Sequence, residues 1–233
     1  MSEATLPSVR CSGVTKTYGL GDTQVQALRG VDLEVRPGEL LMLVGPSGCG
    51  KTTLISIMAG ILDPTQGECT LFGQDLERLA PSERTRYRGK HIGFVFQAFN
   101  LIPTLTIVEN VSIPLLINGE ERGKALARAA ECLEQVGLGE KLHVFPAQLS
   151  GGQQQRAAIA RALVHDPELV VCDEPTSALD HQTGNKVMDV LRGLAMDGRR
   201  SLVIVTHDAR IFPFADRIAH MDDGRIQQIE QQH

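Results

Sequence analysis

The sequence predicts an α/β fold, in which short buried strands alternate with helices. Apolar runs such as Leu40–Val44 and residues 202–205 are separated by stretches whose apolar residues recur at helical spacing. Two early segments, Val9–Tyr18 and Val25–Val35, instead alternate apolar and polar residues, which indicates strands of an antiparallel sheet. Residues 98–163 differ in character, because helical patterns there are punctuated by prolines. We therefore predict an α/β core with an antiparallel β subdomain and an inserted α-helical subdomain.

Turn-forming residues mark where the elements of the first half begin and end. Residues 36–39 turn the chain into the strand at Leu40–Val44, and residues 63–67 end a helix that begins near Lys51. After these turns the patterns predict, in order, a strand at 68–72, a short polar helix from Pro81, and an apolar strand at 92–96 that ends at Gln97.

The second half contains the predicted insertion and a return to alternating strands and helices. Prolines at positions 103, 114 and 146 punctuate the insertion. The later elements are helices at 124–136 and 154–163, a strand at 169–172, a helix marked by Val187, Val190 and Leu191, a strand at 202–205, and a hairpin of 217–221 and 225–229 that turns at 222–224. We assign residues 1–97 and 164–233 to the core with its antiparallel subdomain, and residues 98–163 to the helical subdomain.

Composition limits the classes of function that the chain can have. Its 233 residues are 42% hydrophobic, which suits one large domain or a core with an insertion. A net charge of −5 gives no electrostatic reason to bind nucleic acid. The start lacks the basic and apolar segments of a signal peptide, and no apolar run approaches the ~20 residues of a membrane helix. We expect a soluble chain that binds no nucleic acid and acts at a membrane only through a partner.

The cysteines indicate a reducing compartment. There are five, an odd number without CxxC spacing, at positions 11, 49, 69, 132 and 172. We expect all of them to be reduced thiols in a cytosolic protein.

A glycine-rich segment after Leu40–Val44 has the spacing G-x4-G-K-T of a phosphate-binding P-loop. Glycines let backbone N–H groups point at phosphate oxygens, and the helix that starts near Lys51 directs its partly positive end at the same anion. Lys51 can reach the β- and γ-phosphates, and the Thr52 hydroxyl can ligate Mg²⁺. The alternative, a glycine-rich turn before a helix, is disfavoured by the strand–loop–helix context. The predicted nucleotide-binding residues are Gly45, Pro46, Ser47, Gly48, Cys49, Gly50, Lys51, Thr52 and Thr53.

Two carboxylates, Asp173 and Glu174, follow the apolar strand at 169–172. In a P-loop protein an acid at such a strand end holds Mg²⁺ with Thr52 and water, a role that suits Asp173. Glu174 would point differently and could polarise the attacking water as a general base. The alternative is a pair of ordinary acids that begin a loop.

Tyr18 ends an early strand and precedes a turn. An aromatic ring upstream of a P-loop could stack on a purine, or it could cap the edge of a sheet. The residues alone leave both interpretations open.

Residues 149–156, Leu-Ser-Gly-Gly-Gln-Gln-Gln-Arg, closely resemble the LSGGQ signature of ATP-binding cassette (ABC) ATPases. Other segments resemble further motifs of that family in the family's order: Tyr18 the base-stacking A-loop tyrosine, Gln97 the Q-loop glutamine, Asp180 in residues 177–180 the D-loop, and His207 in residues 205–208 the H-loop. The resemblance covers nearly the whole chain. It implies a P-loop (RecA-like) ATPase with ATP and Mg²⁺ as cofactors, the metal being held by Thr52, Gln97 and Asp173.

The signature has a physical interpretation of its own. Ser150, Gly151 and Gly152 precede an alanine-rich helix, so they form a second helix N-terminus that can bind an anion. The alternative is a flexible linker before a helix. In the ABC family the signature, which here includes Gln153, meets the γ-phosphate bound to the opposite subunit. This implies an ATP-dependent, head-to-tail homodimer that encloses two ATP molecules.

A lone histidine at a strand end is more often structural than functional. The family resemblance implies instead that His207 hydrogen-bonds the γ-phosphate and helps to orient the attacking water and Glu174. We assign Glu174 as the base and His207 as a positioning residue, because a neutral imidazole stabilises phosphoryl charge rather than abstracting a proton. Their relative contributions stay open.

Segments outside the shared motifs resemble one group within the family. Residues 92–103 and 109–111 resemble the LolD/MacB group, whose members power four-helix permeases, and residues 206–212 resemble the DevA branch, whose exporters use an adaptor protein. This implies an exporter ATPase at the cytoplasmic face of the inner (plasma) membrane. Its partners would be an integral-membrane permease, contacted through residues 98–115, and a membrane-fusion adaptor. Residues 177–179 are Ser-Ala-Leu where LolD and MacB usually have Gly-Asn-Leu, which leaves the cargo open.

Three other functions are alternatives to the exporter. An FtsE-like ATPase, which regulates a membrane partner without transport, uses the same motifs and is the main alternative. A nucleic-acid-associated ABC ATPase usually has tandem cassettes, coiled-coil insertions or a basic surface, none of which occurs in the sequence. A metabolic kinase on a P-loop core has no use for the signature.

Overall fold

A computed structural model describes residues 6–177, 179–195 and 200–232. Its strands are β1 (Val9–Tyr18), β2 (Val25–Val35), β3 (Leu40–Val44), β4 (Gln66–Leu71), β5 (Gln74–Asp75), β6 (Ile92–Val95), β7 (Leu169–Asp173), β8 (Ser201–Thr206), β9 (Arg217–Asp222) and β10 (Arg225–Gln231). Its helices are α1 (Lys51–Met58), α2 (Pro81–His91), α3 (Ile107–Ile117), α4 (Arg122–Gln135), α5 (Gly151–Leu163) and α6 (His181–Ala195). The strands form a six-stranded sheet and a four-stranded sheet, and three helices lie between β6 and β7. The predicted fold class, an α/β core with an antiparallel β subdomain and an inserted helical segment, is confirmed.

The six-stranded sheet runs in the order β10-β9-β3-β8-β7-β6 and is parallel except for its edge strand β10. Strands β3 and β8 are buried along their whole length, which is typical of parallel strands covered on both faces and explains their continuous apolar sequences. In the parallel register Val44 lies opposite Thr206, and Asp173 lies opposite Val205. The carboxyl ends of β3, β7 and β8 therefore meet at one edge.

The two faces of this sheet pack against different layers. Met42 on one face belongs to a hydrophobic cluster shared with α3, α4, α5 and α6. Leu41 and Leu43 on the other face belong to a cluster shared with α1 and the four-stranded sheet. The helices of residues 98–163 thus cover one side of the core, while the predicted domain boundaries at 97/98 and 163/164 stay a prediction.

The four-stranded antiparallel sheet has the order β2-β1-β4-β5, and a buried arginine of the core is hydrogen-bonded to it. Arg217 at the start of β9 lies 3.0 Å from Glu39, just before β3, and both side chains are less than a tenth exposed. Arg217 also donates a hydrogen bond to the carbonyl of Glu34 in β2. One side chain therefore links the two sheets at a point where removing either charge would leave the other buried and unpaired.

Two features of the helical segment differ from the sequence-based prediction. Helix α5 begins at Gly151 rather than at 154, because Ser150 and Gln153 form a reciprocal cap: each backbone N–H donates to the other's side-chain oxygen. Pro114, which was expected to punctuate the helical pattern, lies inside α3. A proline there forgoes one helical hydrogen bond, and packing of α3 against α4 and α5 keeps the helix continuous.

The loop between β6 and α3 is held by the fully buried side chain of Asn110. Its amide oxygen accepts from the N–H of Ile102 at 2.7 Å. Its amide nitrogen lies 3.0 Å from each of the carbonyl oxygens of Ile102, Leu105 and Thr106. One carboxamide thus orders most of the connection that follows Gln97.

Within the described residues, no helix combines the length and the apolar character required to cross a membrane.

Replacing Asn110 with leucine keeps the side-chain volume but leaves several buried backbone groups without partners. We expect the Asn110→Leu variant to lose at least about 2 kcal/mol of unfolding free energy, measured by urea denaturation. Asn118→Leu is the matched control, because Asn118 donates a single exposed hydrogen bond, to the carbonyl of Gly89, and should lose much less. Equal stability losses for the two variants would contradict the anchoring role of Asn110.

Candidate active site

The P-loop of residues 45–50 connects the buried end of β3 to the first turn of α1. Gly45 has φ +153°, and a Cβ there would lie 2.0 Å from the carbonyl oxygen of Met221. Gly50 has φ +102°, and a Cβ there would lie 2.5 Å from the carbonyl oxygen of Ala27. Only glycine fits at these two positions. No side chain caps α1, so its first N–H groups are available to an anion.

Lys51 is folded back over the loop in this structure. Its ammonium group donates to the carbonyls of Gly45 at 2.8 Å and Pro46 at 2.7 Å, and it lies 3.6 Å from the sulfur of Cys49. The side chain is only 7% exposed. A buried ammonium group whose hydrogen bonds go to backbone carbonyls can bind a phosphate oxygen, which would add a charge-assisted hydrogen bond.

The P-loop opens into a cleft of about 580 Å³. The predicted residues that line it are Gly45, Pro46, Ser47, Gly48, Gly50, Lys51, Thr52, Thr53, Gln97, Asp173, Glu174 and His207. Ala27 and Val205 also line it and were not singled out from the sequence. Ala27 belongs to the other sheet and Val205 to a uniformly apolar strand, so neither carries a local signal. Cys49 is the one predicted P-loop residue that does not line the cleft, because its side chain is buried.

Glu174 is held at the cleft by groups from two other loops. It follows the last residue of β7 with φ +48°, and its N–H donates to the carbonyl of Val205 at 2.9 Å. The side-chain amide of Gln97 donates to one carboxylate oxygen at 3.2 Å, and Nδ1 of His207 lies 2.9 Å from the other. Because an ionised carboxylate only accepts hydrogen bonds, Nδ1 of His207 carries the proton.

Asp173 and Thr52 form the oxygen-rich side of the cleft. Burial raises the pKa of Asp173, while a hydrogen bond with the Thr52 hydroxyl opposes that shift; the Glu174 carboxylate raises the pKa further and Lys51 lowers it. A buried carboxylate whose negative charge is not fully compensated is stabilised by a bound cation. One carboxylate, one hydroxyl and an amide oxygen from Gln97 are hard oxygen donors, and Mg²⁺ typically uses one or two carboxylates with substrate phosphates. These residues therefore fit Mg²⁺.

The loop that carries His207 is fixed by the next residue, Asp208. The carboxylate of Asp208 accepts two hydrogen bonds at 2.7 Å from the guanidinium of Arg210 and one at 3.4 Å from the hydroxyl of Thr176. Hydrogen bonds from Arg210 hold the pKa of Asp208 below its usual value. The imidazole of His207 itself is 65% exposed. The backbone under the histidine is thus held firmly while its ring faces the open cleft.

Tyr18 lies beside the P-loop helix but does not line the cleft. Its hydroxyl is 3.4 Å from that of Thr53, and the ring is 41% exposed. The ammonium group of Lys16 sits over the ring, 5.5 Å from its centre. Both interpretations of Tyr18, a stacking platform and an edge-capping residue, are compatible with this position.

The signature residues lie away from the Lys51 cleft. Ser150 and Gly151 are exposed, and none of Ser150, Gly151, Gly152 and Gln153 lines the cleft. A Cβ on Gly152 would lie 2.4 Å from Cγ2 of Thr183, which places the signature beside the start of α6. The N-terminus of α5 is therefore open to solvent, where a second molecule can reach it.

Asp180, the predicted D-loop residue, caps α6. Its carboxylate accepts from the N–H groups of Gln182 and Thr183 at 3.0 and 3.1 Å and from the Thr183 hydroxyl at 2.6 Å. The hydrogen bond from Thr183 lowers the pKa of Asp180. Ala178 of the same segment lies outside the described residues. Asp180 thus fixes the helix that also touches the signature.

Sequence comparisons identify the family. The family model for the ABC transporter matches residues 28–177. The uncharacterized ABC transporter ATP-binding protein YbbA of Escherichia coli (strain K12) is 45% identical over 91% of this chain and 93% of its own length. The uncharacterized ABC transporter ATP-binding protein MJ0796 of Methanocaldococcus jannaschii is 43% identical over 95% of this chain and 96% of its own length.

Solved structures agree with the sequence comparisons. The dimeric post-hydrolysis state of the ATP-binding cassette MJ0796 bound to ADP and Pi superposes with a TM-score of 0.89, at 41% identity, over 96% of this chain and 98% of that chain. A second dimeric structure of MJ0796, described as a bacterial ABC transporter cassette, gives the same TM-score at 40% identity. The chain belongs to the ABC transporter family, in which it is an ATP-binding, ATP-hydrolysing subunit.

Proposed function

We propose that this subunit powers an exporter of the MacB/DevA type, as an ATP-dependent head-to-tail homodimer bound peripherally at the cytoplasmic face of the inner membrane. The main observation in favour of the dimer is that the two helix N-termini able to bind an anion lie apart in one chain. The N-terminus of α1 faces the cleft, whereas the exposed Ser150–Gly152 corner of the same chain does not line it. The solved relative MJ0796, which is dimeric and bound to ADP and Pi in one structure, supports dimerisation.

In the proposed site each copy holds most of one ATP, and the partner copy completes it. The P-loop amides and Lys51 bind the phosphates, and Tyr18 stacks on the adenine base. Ser150, Gly151, Gly152 and Gln153 of the partner copy contact the γ-phosphate. Thr52, Asp173 and Gln97 hold Mg²⁺, which supplies neutralisation of phosphate charge when it is bound.

Glu174 is proposed to take a proton from water as the water oxygen attacks the γ-phosphorus and the bond to the ADP oxygen breaks. Both carboxylate oxygens are occupied here, by Gln97 and by His207. Each oxygen still has a second lone pair, so Glu174 can accept a water proton while both bonds are kept. With Nδ1 of His207 bonded to Glu174, Nε2 is the atom left to face the phosphate. His207 is thus a positioning residue on this proposal.

Replacing Glu174 with glutamine keeps the side-chain shape, removes the base and leaves one acceptor oxygen in place of two. We expect kcat to fall by at least about 10²-fold while ATP still binds, so that the variant accumulates as a dimer in size-exclusion chromatography with ATP and Mg²⁺. Glu168→Gln is the matched control, because Glu168 pairs with Nδ1 of His91 at 2.7 Å away from the cleft and should leave turnover intact. A Glu174→Gln variant that stays monomeric at micromolar concentration would count against the shared site.

The magnesium site can be tested separately. We expect Asp173→Asn to raise the Mg²⁺ concentration for half-maximal ATPase activity by at least about tenfold, because the ligand carboxylate is gone. ATP binding measured in EDTA should be unchanged or tighter, since a buried negative charge near the triphosphate is removed. Asp189→Asn, on the exposed side of α6, is the control. An unchanged Mg²⁺ requirement in the Asp173 variant would show that the metal is held elsewhere.

The permease contact is proposed to comprise residues 98–115, which include the Asn110-anchored loop, and the adjoining end of α3, where Asn118 donates a hydrogen bond to the carbonyl of Gly89 in α2. Ile102, Leu116 and Ile117 are exposed there, Ile117 by 72%. Ile117 shares a surface hollow with the basic residues Arg86 and Lys90 of α2. Exposed apolar side chains beside cations fit a cytoplasmic helix of a permease that carries both apolar and acidic residues. The exporter type itself rests on the resemblance of residues 92–103 and 206–212 to the LolD/MacB and DevA groups.

Placing a charge on this surface should release the membrane partner. We expect Ile117→Glu to reduce recovery of the co-purifying permease from native membranes at least tenfold, because an acid would face the acidic residues expected on the partner. The control is Leu20→Glu, which is 86% exposed in the turn after β1, and thermal unfolding should be the same for both variants.

The identity of the captured protein decides between the exporter and its main alternative. A four-helix permease together with a membrane-fusion adaptor supports the exporter. A membrane partner of the cell-division machinery without cargo would replace it with FtsE-like regulation. Recovery of no integral-membrane protein by the unmodified chain would contradict both.

A further inference from the structure

Two of the five cysteines face each other across the antiparallel sheet. Cys11 in β1 and Cys69 in β4 are direct register partners, and their sulfur atoms are 3.4 Å apart. Cys11 is 2% exposed, whereas Cys69 is half-buried. The other three thiols have different surroundings: Cys49 lies beside Lys51, Cys132 donates to the carbonyl of Ala160, and Cys172 is inside β7.

The strand geometry already suits a covalent link. Directly opposed residues of antiparallel strands have Cα atoms ~4.5–5.5 Å apart, and disulfides span Cα separations of ~4.4–6.8 Å. The two sulfurs need only approach from 3.4 Å to about 2.0 Å, which side-chain rotation can provide without moving the strands.

We propose that Cys11 and Cys69 are an oxidative modification site, at which a hydroperoxide converts the two facing thiols into a disulfide. Cys69 is the residue that meets the oxidant, because it is the more exposed of the pair. Cys11 is the resolving residue, because it is buried directly behind the Cys69 sulfur.

The reaction balances in two steps. The Cys69 thiolate attacks one oxygen of hydrogen peroxide, so that an S–O bond forms, the O–O bond breaks and hydroxide leaves, giving a sulfenic acid. The Cys11 sulfur then attacks the Cys69 sulfur, the S–O bond breaks, and the departing hydroxide takes the Cys11 proton to form water. The hydrogen bond with Cys69 and burial raise the pKa of the Cys11 thiol, which keeps Cys11 protonated until that second step. Two electrons pass from the thiols to the peroxide.

The disulfide would close a covalent loop of the chain that contains many of the predicted nucleotide-binding residues. Tyr18 and the whole P-loop lie between Cys11 and Cys69 in the sequence. Cross-linking these strands restricts the unfolded chain, so the oxidised protein should resist thermal unfolding better than the reduced one.

The test treats the purified, fully reduced chain with a small excess of hydrogen peroxide and maps its peptides by mass spectrometry. We expect a peptide pair joined through Cys11 and Cys69, two mass units lighter than its reduced parts. We also expect the melting temperature to rise by about 5 °C or more, and dithiothreitol to reverse both changes. Cys69→Ser and Cys69→Ala should lose the cross-link and the shift, and Cys132→Ser, which changes a thiol with no thiol partner, should retain both.

Several results would overturn the proposal. They are oxidation of Cys69 that stops at sulfenic or sulfinic acid, a disulfide between two chains, or oxidation of Cys49 alone with Cys11 and Cys69 still titrating as thiols. Two different substitutions at Cys69 are used in case one of them disturbs folding. The comparison requires a variant whose melting temperature in the reduced state equals that of the reduced parent chain.

Discussion

The parallel register of four neighbouring strands is the constraint on which the rest of the molecule depends. Because β3, β6, β7 and β8 run in one direction with aligned ends, their carboxyl ends form a single edge. The loops that leave this edge carry Lys51, Gln97, Glu174 and His207, which are far apart in sequence. A shift of one residue in any strand would move one of these groups out of the cleft and exchange the side chains that pack against the two covering layers. Burial of the strands and assembly of the site are therefore one requirement.

Glu174 shows how this edge couples the site to the helical segment. Gln97 begins the connection that Asn110 anchors and that leads into α3, whereas His207 belongs to a loop held by Asp208 and Arg210. The same carboxylate is hydrogen-bonded from both sides. The Gln97 bond is thus made from the start of the helical segment, whereas the His207 bond is made from a loop outside it. The Glu174 carboxylate can therefore respond to the position of the helical segment through Gln97, without any change in the phosphate-binding loop.

The sequence predicted local features well and long-range contacts poorly. The P-loop, the strand-end acids and the antiparallel segments follow from short patterns whose physical causes lie within a few residues. The contact between Gln97 and Glu174 joins residues 77 positions apart, and it depends on strand order, which no local pattern contains. Ala27 reaches the cleft from the other sheet for the same reason. The predicted start of α5 at 154 follows the alanine-rich pattern, whereas the Ser150 cap begins the helix at Gly151.

The backbone of Glu174 carries a consequence for how such a protein can be improved in the laboratory. A residue other than glycine with φ +48° is held in a conformation that side chains disfavour, by roughly 1 kcal/mol or more. A selection for heat resistance alone would therefore favour glycine at this position, because it relieves the strain, and would discard the carboxylate that we propose as the base. On the proposed mechanism, a substitution at this residue that raises thermal stability also lowers ATP turnover. Stabilising substitutions should therefore be sought elsewhere in the chain.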